Sequence, residues 1–333
     1  MQFVQFLING LMSGAIYALI AIGIVAVYKS TRVVNFAHGY MIMIGAYLYY
    51  TFAVLFPELS WAPSWLSGWA PEWVIDGKNN AKMFSPEAAF YDWIPDIPRI
   101  IFGLIFAIIG SGIIALFIER FLMRPLLGQS NFSMIMVTVG LISVLSGFKS
   151  LFWTGDAASV PHLTPNPAFR LDFFGTPIFI FGANLMSMII AAIIFGYIVY
   201  WLRKSSAGVA IRAVSEDQST AYSMGINVPR VFAQAWLIAA ATGAIAGAVL
   251  AARDGVSPSL GLFGFSVLAI VLMGGLDSFV GVFIAAMLVG VLEALVQWQL
   301  GGTWVEIAPY VAVLVVIIIK PHGLLGSPEV ERI

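Results

Sequence analysis

Long apolar runs follow one another along almost the whole chain, and they constrain its fold more than any other feature. A helix that crosses a bilayer needs about 20 apolar residues. Charged residues make up only 10% of the 333 positions, against about 25% in soluble domains. The sequence therefore predicts an all-α, polytopic membrane protein with about nine transmembrane helices, within a range of eight to ten. The predicted spans are 3–28, 36–56, 99–118, 131–153, 184–202, 231–251, 256–276, 279–299 and 307–319.

The seventh and ninth of these stretches are weaker than the others. Pro258 and nearby glycines interrupt the start of 256–276, which predicts a half-helix or a re-entrant segment. The last stretch is short, although Pro309 suits a first helical turn. Little sequence separates most runs, so we expect residues 1–333 to form one transmembrane domain.

The distribution of Lys and Arg predicts the orientation in the membrane. Positive side chains accumulate in short cytoplasmic loops, and an outside N-terminus places ten of them inside and five outside. This predicts a cytoplasmic C-terminus. The inside set is Lys29, Arg32, Arg120, Arg124, Arg203, Lys204, Arg212, Arg230, Lys320 and Arg332, and the outside set is Lys78, Lys82, Arg99, Arg170 and Arg253.

Composition also argues against several classes of function. The net charge of −1 gives no indication of nucleic-acid binding, and the absence of Cys excludes disulfides and thiolate metal sites. We expect no metal at His38, because the two other histidines, His162 and His322, fall on opposite predicted sides of the membrane. The apolar N-terminal run is too long for a signal peptide and is predicted to be a retained first span.

Two outer segments interrupt the pattern of spans. The insertion 57–98 carries a tryptophan every four residues, and Trp favours the bilayer interface. It is interpreted either as a membrane-surface cap or as a docking surface for a soluble partner. The proline-rich segment 154–183 is predicted to be an ordered outer loop. The tryptophans are Trp61, Trp65, Trp69 and Trp73.

A polar, glycine-containing motif opens the second span, where polar groups are costly unless a partner or a water cavity satisfies them. It contains Asn35, Phe36, His38, Gly39 and Tyr40. In one interpretation Asn35 and His38 cap a helix at the membrane interface, since Asn is a favoured N-cap. In the other, the motif lines a translocation path, with a helix N-terminus aimed at an anionic group.

Charges in or near the later spans are further candidates. Glu293 lies inside the eighth span and is either a hydrogen-bonded structural carboxylate or a group facing the path. Arg253 and Asp254, at the outer end of the sixth span, are adjacent and need not pair with each other. They could line an outer vestibule or touch a delivery protein.

Glycine pairs are predicted to allow close helix packing. They are Gly10 and Gly14, Gly140 and Gly147, and Gly243 and Gly247.

The longest inner segment, 203–230, is predicted to hold a short amphipathic helix. Ala221 to Met224 would form the helix, and Gly225 would end it as the C′ residue. Glu216 and Asp217 would stand in its first turn, where acidic side chains favour the helix dipole. The alternatives are a plain surface loop and a coupling element for a cytoplasmic partner.

Three stretches resemble the permease subunits of ATP-binding-cassette importers of the branched-chain amino acid type, the LivH/LivM group, which is related to urea and amide permeases. They are Gly10–Leu19 with the motif Asn35–Gly39, Arg212–Asn227, and Gly274–Ser278 with Val289–Leu295. The resemblance covers about 1–56 and 100–326. Relatives often carry Glu where this chain has Tyr40, and the Trp-rich insertion and the Arg253–Asp254 pair also depart from the pattern.

The resemblance implies a transport subunit in the cell membrane, not an enzyme. It implies cytoplasmic ATPase subunits, a second permease chain of identical or homologous sequence, and an extracytoplasmic binding protein that delivers amino acids. ATP and Mg²⁺ would bind the ATPase, because no G-x-x-x-x-G-K-[ST] motif occurs in this chain. Glu216, Asp217, Ala221, Met224 and Gly225 would form the coupling site.

Other classes of function remain open at this point. An ion-coupled secondary transporter or channel would need intramembrane carboxylates or a broken-helix pair, and only Glu293 is a clear candidate. A membrane-embedded enzyme would need a metal cluster or a nucleophile–base pair, and the sequence offers neither.

Overall fold

The computed structural model describes residues 2–59, 62–63, 93–126, 128–153, 157–164, 168–173 and 176–326. These residues form a bundle of helices with one β-hairpin. The helices are α1 (Gln2–Thr31), α2 (His38–Tyr50), α3 (Ile97–Ile118), α4 (Asn131–Phe152), α5 (Gly182–Lys204), α6 (Ser206–Glu216), α7 (Gln218–Ser223), α8 (Val228–Asp254), α9 (Leu260–Gly274), α10 (Phe279–Leu300), α11 (Gly302–Val305) and α12 (Ala308–Ile319). The tryptophans of the predicted 57–98 stripe lie outside the described residues.

Two of the long helices change pitch near their ends. A π-helical turn, Thr51–Leu55, and a 3-10 turn, Phe56–Glu58, extend α2. A 3-10 turn, Ile94–Asp96, leads into α3, which continues through Glu119–Met123 and Arg124–Leu126.

The membrane-spanning character of the bundle is confirmed. Eight helical segments in the described part of the chain are long and apolar enough to cross a bilayer, and each overlaps one of the predicted spans. The ninth element, α9, is the predicted weak seventh span and has only 15 residues. The number of crossings and the orientation of the termini stay predictions.

The outer helices expose apolar surface that hydrocarbon can cover. Leu151 on α4, Ile193 on α5 and Ile318 on α12 are 80%, 64% and 81% exposed. In contrast, the apolar part of α1 is 89% buried, and α1 packs against α5, α8, α9 and α10. The first helix, α1, is therefore the central helix of the bundle.

Glycine explains how closely α10 and α2 approach their neighbours. A Cβ added at Gly10 would lie 2.6 Å from the carbonyl oxygen of Gly290, and one at Gly14 would lie 2.8 Å from that of Ala286. At Gly247 of α8 it would lie 2.5 Å from the Ile42 oxygen of α2. The predicted close packing at Gly10, Gly14 and Gly247 is confirmed.

The glycines of α4 behave differently from those of the core helices. Gly140 and Gly147 have no described atom within 4 Å of an added Cβ, so the prediction that they pack closely is wrong within this chain. Gly243 makes only an ordinary 3.4 Å contact with Ile42.

The described residues of the predicted outer segment 154–183 include a two-stranded antiparallel hairpin that the sequence analysis missed. Its strands are β1 (Ala168–Phe173) and β2 (Thr176–Phe181), with Ala168 opposite Phe181. The amide of Gln5 bonds the backbone of Phe179 in both directions, at 2.7 and 2.8 Å, and ties the hairpin to the start of α1. A separate bridge joins Ala158 to Val256.

Candidate functional site

The polar motif enters the bundle as a non-helical segment. The chain leaves α1 through Arg32, whose φ is +56°, and residues 33–37 form no helix. The His38 ring then packs on Gly23 of α1, where an added Cβ would lie 2.7 Å from its Cε1. Gly23 stands eight residues before the end of α1, which is about 12 Å along the axis. The start of α2 therefore lies inside the bundle and not at its edge.

Asn35 and Phe36 are held by short-range and cross-helix bonds. The buried Asn35 side chain accepts a hydrogen bond from the Ala37 N–H at 3.0 Å and donates toward the Met41 sulfur at 3.5 Å. The Phe36 N–H donates to the Thr138 hydroxyl of α4 at 3.4 Å. Asn35 thus closes the turn that precedes α2. The N-cap of α2 is Ala37, which makes no side-chain cap bond, so neither Asn35 nor His38 caps the helix as one interpretation expected.

His38 is the most unusual polar group of the motif. It is 1% exposed. The backbone of Ile20 faces the ring, but neither ring nitrogen has a partner at hydrogen-bond geometry. A buried polar atom without a partner costs about 1–3 kcal/mol. The described residues contain no cluster of three metal-ligating side chains.

Gly39 and Tyr40 bring the first turns of α2 and α9 together. An added Cβ at Gly39 would lie 2.6 Å from the Cα of Gly264, and one at Gly261 would lie 2.9 Å from the Tyr40 ring. The neighbouring Phe263 packs on Tyr17 of α1, with ring centroids 5.2 Å apart. Two helices thus begin in the interior layer of the bundle, and both direct the positive end of their dipole into it.

Glu293 lies apart from this motif. The Tyr17 hydroxyl donates a hydrogen bond to its carboxylate, which is 9% exposed. Tyr17 stands six residues before Gly23, so the pair lies about 9 Å farther along α1 from the His38 ring. The motif residues 35–40 therefore form one site, and Glu293 belongs to another layer, nearer the N-terminus of α1.

Arg253 and Asp254 pair with each other, an outcome that their adjacency in the sequence had left open. The Arg253 Nε and Nη2 atoms lie 3.0 and 2.9 Å from Asp254 Oδ2. Because these residues end α8 and Gly255 follows with a φ of +82°, the long side chains can fold toward each other. Arg253 also reaches the Ser13 hydroxyl of α1 at 3.4 Å.

The segment 203–230, predicted to face the cytoplasm, forms two short helices, α6 and α7, where one was predicted. The Ser205 hydroxyl caps α6 by accepting from the Gly208 N–H at 3.1 Å, and Glu216 ends α6. The prediction that Glu216 stands in the first turn of the next helix is therefore wrong. Asp217 is the N-cap of α7 and accepts from the Thr220 N–H at 2.7 Å. That bond, with a second from the Ser219 hydroxyl, lowers the pKa of Asp217.

Gly225 ends α7 as predicted. Its φ is +87°, a region that costs side-chain-bearing residues about 1–2 kcal/mol. The Ile226 N–H donates to the Ala221 oxygen, and the Gly225 N–H donates to the Tyr222 oxygen, both at 3.0 Å. This is the Schellman pattern.

The α6–α7 unit is anchored on one side and bare on the other. Ile211, Val214 and Ala221 are buried against α5 and α8. Tyr222 and Met224 are 71% and 80% exposed. An exposed apolar pair on an anchored helix is suited to contact another protein.

Arg32 is the functional candidate that the sequence analysis did not single out. Its Nε and Nη2 atoms donate to the Ser215 oxygen of α6 at 2.8 and 2.5 Å. The bond spans 183 residues, so no local pattern could have indicated it. It joins the α6–α7 unit to the segment that leads into the buried start of α2.

These features define a class: a multi-span membrane protein in which two helices begin in the interior and an exposed apolar unit stands at one face. The chain belongs to the family described as the permease component of branched-chain amino acid transport systems, whose model matches residues 6–319. It is thus a multi-pass permease subunit of a membrane transport system.

Curated relatives agree over the full length. The chain is 28% identical to the high-affinity branched-chain amino acid transport system permease protein LivH of Salmonella typhimurium, over 100% of this chain and 98% of that protein. It is 27% identical to the corresponding protein BraD of Pseudomonas aeruginosa, with the same coverage. It is also 32% identical to LivM of Salmonella typhimurium over 46% of this chain and 37% of that protein. No solved structure was found to match the chain.

Proposed function

We propose that this chain is the transmembrane subunit of an ATP-driven importer for branched-chain or other hydrophobic amino acids. A binding protein would deliver the amino acid to the outer mouth, and cytoplasmic ATPase subunits would power its passage. The observation that carries this proposal is the exposed α6–α7 unit tied by Arg32 to the entry of α2. The substrate class comes from the names of the full-length relatives.

The α6–α7 unit would supply a physical route from the ATPase to the translocation path. Met224 and Tyr222 would sit in a groove of the ATPase, because both are exposed at the C-terminal end of α7, where Met224 is the C-cap residue. A displacement of α6 would pull the Ser215 carbonyl and, through Arg32, the segment 33–37. That segment leads directly into His38 and Gly39, where α2 meets α9.

The pathway would pass the interior layer where α2 and α9 begin. Asn35, His38 and Tyr40 would present polar groups there, and the helix dipoles would favour a carboxylate. The His38 ring nitrogens, without partners, could bond water or substrate when the bundle opens. Glu293 would lie on the same route, nearer the outer mouth.

A second permease chain would complete the transporter. The likeness to both LivH and LivM favours two related chains over a single one. Apolar surface on α4, α5 and α12 would be shared between that partner and lipid. ATP and Mg²⁺ would bind the ATPase subunits, and the transporter would lie in the cell membrane.

Co-purification with the ATPase tests the proposal directly. Tagged chain is extracted in mild detergent, and the co-purifying proteins are identified by mass spectrometry. We expect the ATPase with the parent chain and its loss from Met224→Asp, Glu216→Lys and Gly225→Pro, the last because proline removes the N–H that bonds Tyr222. Gln129→Asp, an exposed change in a loop predicted to face the same side, serves as the control.

A second candidate function has one observation in its favour. The meeting of two helix N-termini inside the bundle is a feature that ion-coupled secondary transporters also use. That alternative predicts that the purified chain, alone in liposomes, drives uptake from an ion gradient without ATP. Uptake of this kind, with no ATPase co-purifying, would replace the importer proposal.

A further inference from the structure

A polar cavity of about 290 Å³ opens at the end of the bundle that holds the N-terminus of α1. Four helices that are distant in sequence, α1, α5, α8 and α10, contribute to its walls. The positive-inside distribution assigns this end to the outside. The polar lining consists of Asn9, Ser13, Asn184, Arg253, Asp254 and Gln297.

The lining combines one positive and one negative side chain with neutral amides. Arg253 and Asp254 are 29% and 54% exposed, so each can exchange its present partner for a ligand. The amides of Asn9, Asn184 and Gln297 can both donate and accept. Such a site matches a ligand that carries a carboxylate and an ammonium group. An anion or a cation by itself would pair with one of these two side chains and leave the other charge without a counterpart.

The wall behind these groups is apolar. Met12 and Ile16 also line the cavity and are 5% and 1% exposed. The volume is near the lower limit of small-molecule sites, which occupy about 300–1,000 Å³. The space suits one small molecule with an uncharged side chain, and it is too small for a peptide.

We infer that this cavity receives a zwitterionic amino acid with an uncharged side chain, its carboxylate on Arg253 and its ammonium group on Asp254. This inference rests on the proposed importer function and deepens it by naming a receiving site at the outer mouth. Entry of the amino acid replaces one internal ion pair by two ion pairs to the ligand. No charge is left unpaired in the process, which avoids the cost of an isolated buried ion.

Single-cysteine protection tests this inference, because the chain has no cysteine of its own. Asn184→Cys is placed in the complete importer in proteoliposomes, and its labelling by a membrane-impermeant maleimide is timed. We expect leucine to slow the labelling several-fold. Isovalerate, which lacks the ammonium group, and isoamylamine, which lacks the carboxylate, should not slow it. Gln297→Cys provides a second reporter if the first variant does not assemble.

A charge variant and its matched control complete the test. Arg253→Gln should raise the leucine concentration that gives half-protection by about tenfold, as expected for loss of a charged hydrogen bond. Arg99→Gln breaks a partly exposed ion pair with Asp96, at 2.5 Å, that is predicted to lie at the same end. It should not change the half-protection concentration. A cysteine at Glu306, which is outside the cavity, should label equally with and without leucine.

The outcomes separate this inference from the proposed function. If leucine fails to protect either cysteine while ATP-dependent leucine uptake persists, the receiving site is wrong and the importer stands. Equal protection by isovalerate or isoamylamine overturns the zwitterion assignment. Absence of ATP-dependent uptake of every amino acid overturns both.

Discussion

Gly39 and Gly264 determine how closely the first turns of α2 and α9 approach each other. A Cβ on Gly39 would overlap Gly264, with Cα at 2.6 Å and N at 2.8 Å. We therefore expect Gly39→Ala to destabilise the fold by about 1–3 kcal/mol through overpacking. The thermal-aggregation midpoint in mild detergent should fall.

The control for this substitution lies on α4. Gly147→Ala adds the same methyl group where the described structure leaves open space, and helix propensity favours Ala over Gly by roughly 0.5–1 kcal/mol. Its midpoint should stay level or rise. Equal losses for the two variants would contradict the close approach of α2 and α9.

Tyr17 and Glu293 form a buried pair whose members depend on each other. Tyr17→Phe leaves the carboxyl group without its donor, which costs about 1–3 kcal/mol for a buried group. Glu293→Gln keeps an acceptor for the hydroxyl and should stay near the parent stability. The midpoint measurement in detergent distinguishes these outcomes.

A double substitution sharpens this prediction. Replacing both partners of a buried hydrogen bond by apolar groups is close to neutral. Tyr17→Phe combined with Glu293→Met should therefore recover most of the stability that Tyr17→Phe loses. If Tyr17→Phe by itself changes nothing, the pair does not contribute to the fold as argued.

At the scale of single elements, α7 depends on its cap. The hydrogen bonds that Asp217 accepts from Thr220 and Ser219 lower its pKa. The stability that this cap adds to α7 is therefore present above the ordinary aspartate pKa and is lost as pH falls through the lower pKa of the folded state. We expect the exchange protection factor of the Thr220 amide to fall only in the acidic range. Asp217→Asn, which caps without titrating, should make that protection independent of pH.

The neighbouring helix contains an internal control. Asn227 caps α8 by accepting from the Arg230 N–H at 3.1 Å, and its amide does not titrate. The Arg230 amide should therefore show no acid-dependent loss of protection in the same sample. A parallel loss at both amides would indicate general unfolding of the inner face and not a titrating cap.

Arg32 links two elements that move together in the proposed mechanism. Arg32→Gln removes the forked contact to Ser215, and we expect uptake per ATP hydrolysed to fall about tenfold, the effect of ~1.4 kcal/mol of lost coupling. Binding of the ATPase should persist, because α7 is unchanged. Arg230→Gln, another exposed positive residue near the α6–α7 unit, should leave the ratio unaltered. Full coupling in Arg32→Gln would refute the link.

At the scale of the whole molecule, the orientation follows from the distribution of charge in the loops. Met224→Cys should react with an impermeant maleimide only from the cytoplasmic side, and Glu306→Cys only from outside. Both positions are exposed, so in vesicles that contain the chain without the ATPase, access depends on the side of the membrane alone. The opposite pattern in oriented vesicles would reverse the predicted topology.

Features with local causes could be predicted from the sequence. In the described part of the chain, apolar length and composition placed the eight long apolar helical segments and the short α9, which Pro258 and its glycines indicated. Gly225 was correctly assigned as the end of α7, because the positive φ of a helix terminus favours glycine at that one residue. The family resemblance also came from local motifs.

Contacts between distant segments required the tertiary structure. Tyr17 and Glu293 are 276 residues apart, and Arg32 and Ser215 are 183 apart. An apolar run determines that a helix is inserted, but not which face it turns to its neighbours. The same reason explains why Gly14 packs on α10, while Gly147 has no described atom within 4 Å of an added Cβ. The sequence alone determined a helical membrane permease, and helix rotation and depth decided which polar groups meet inside it.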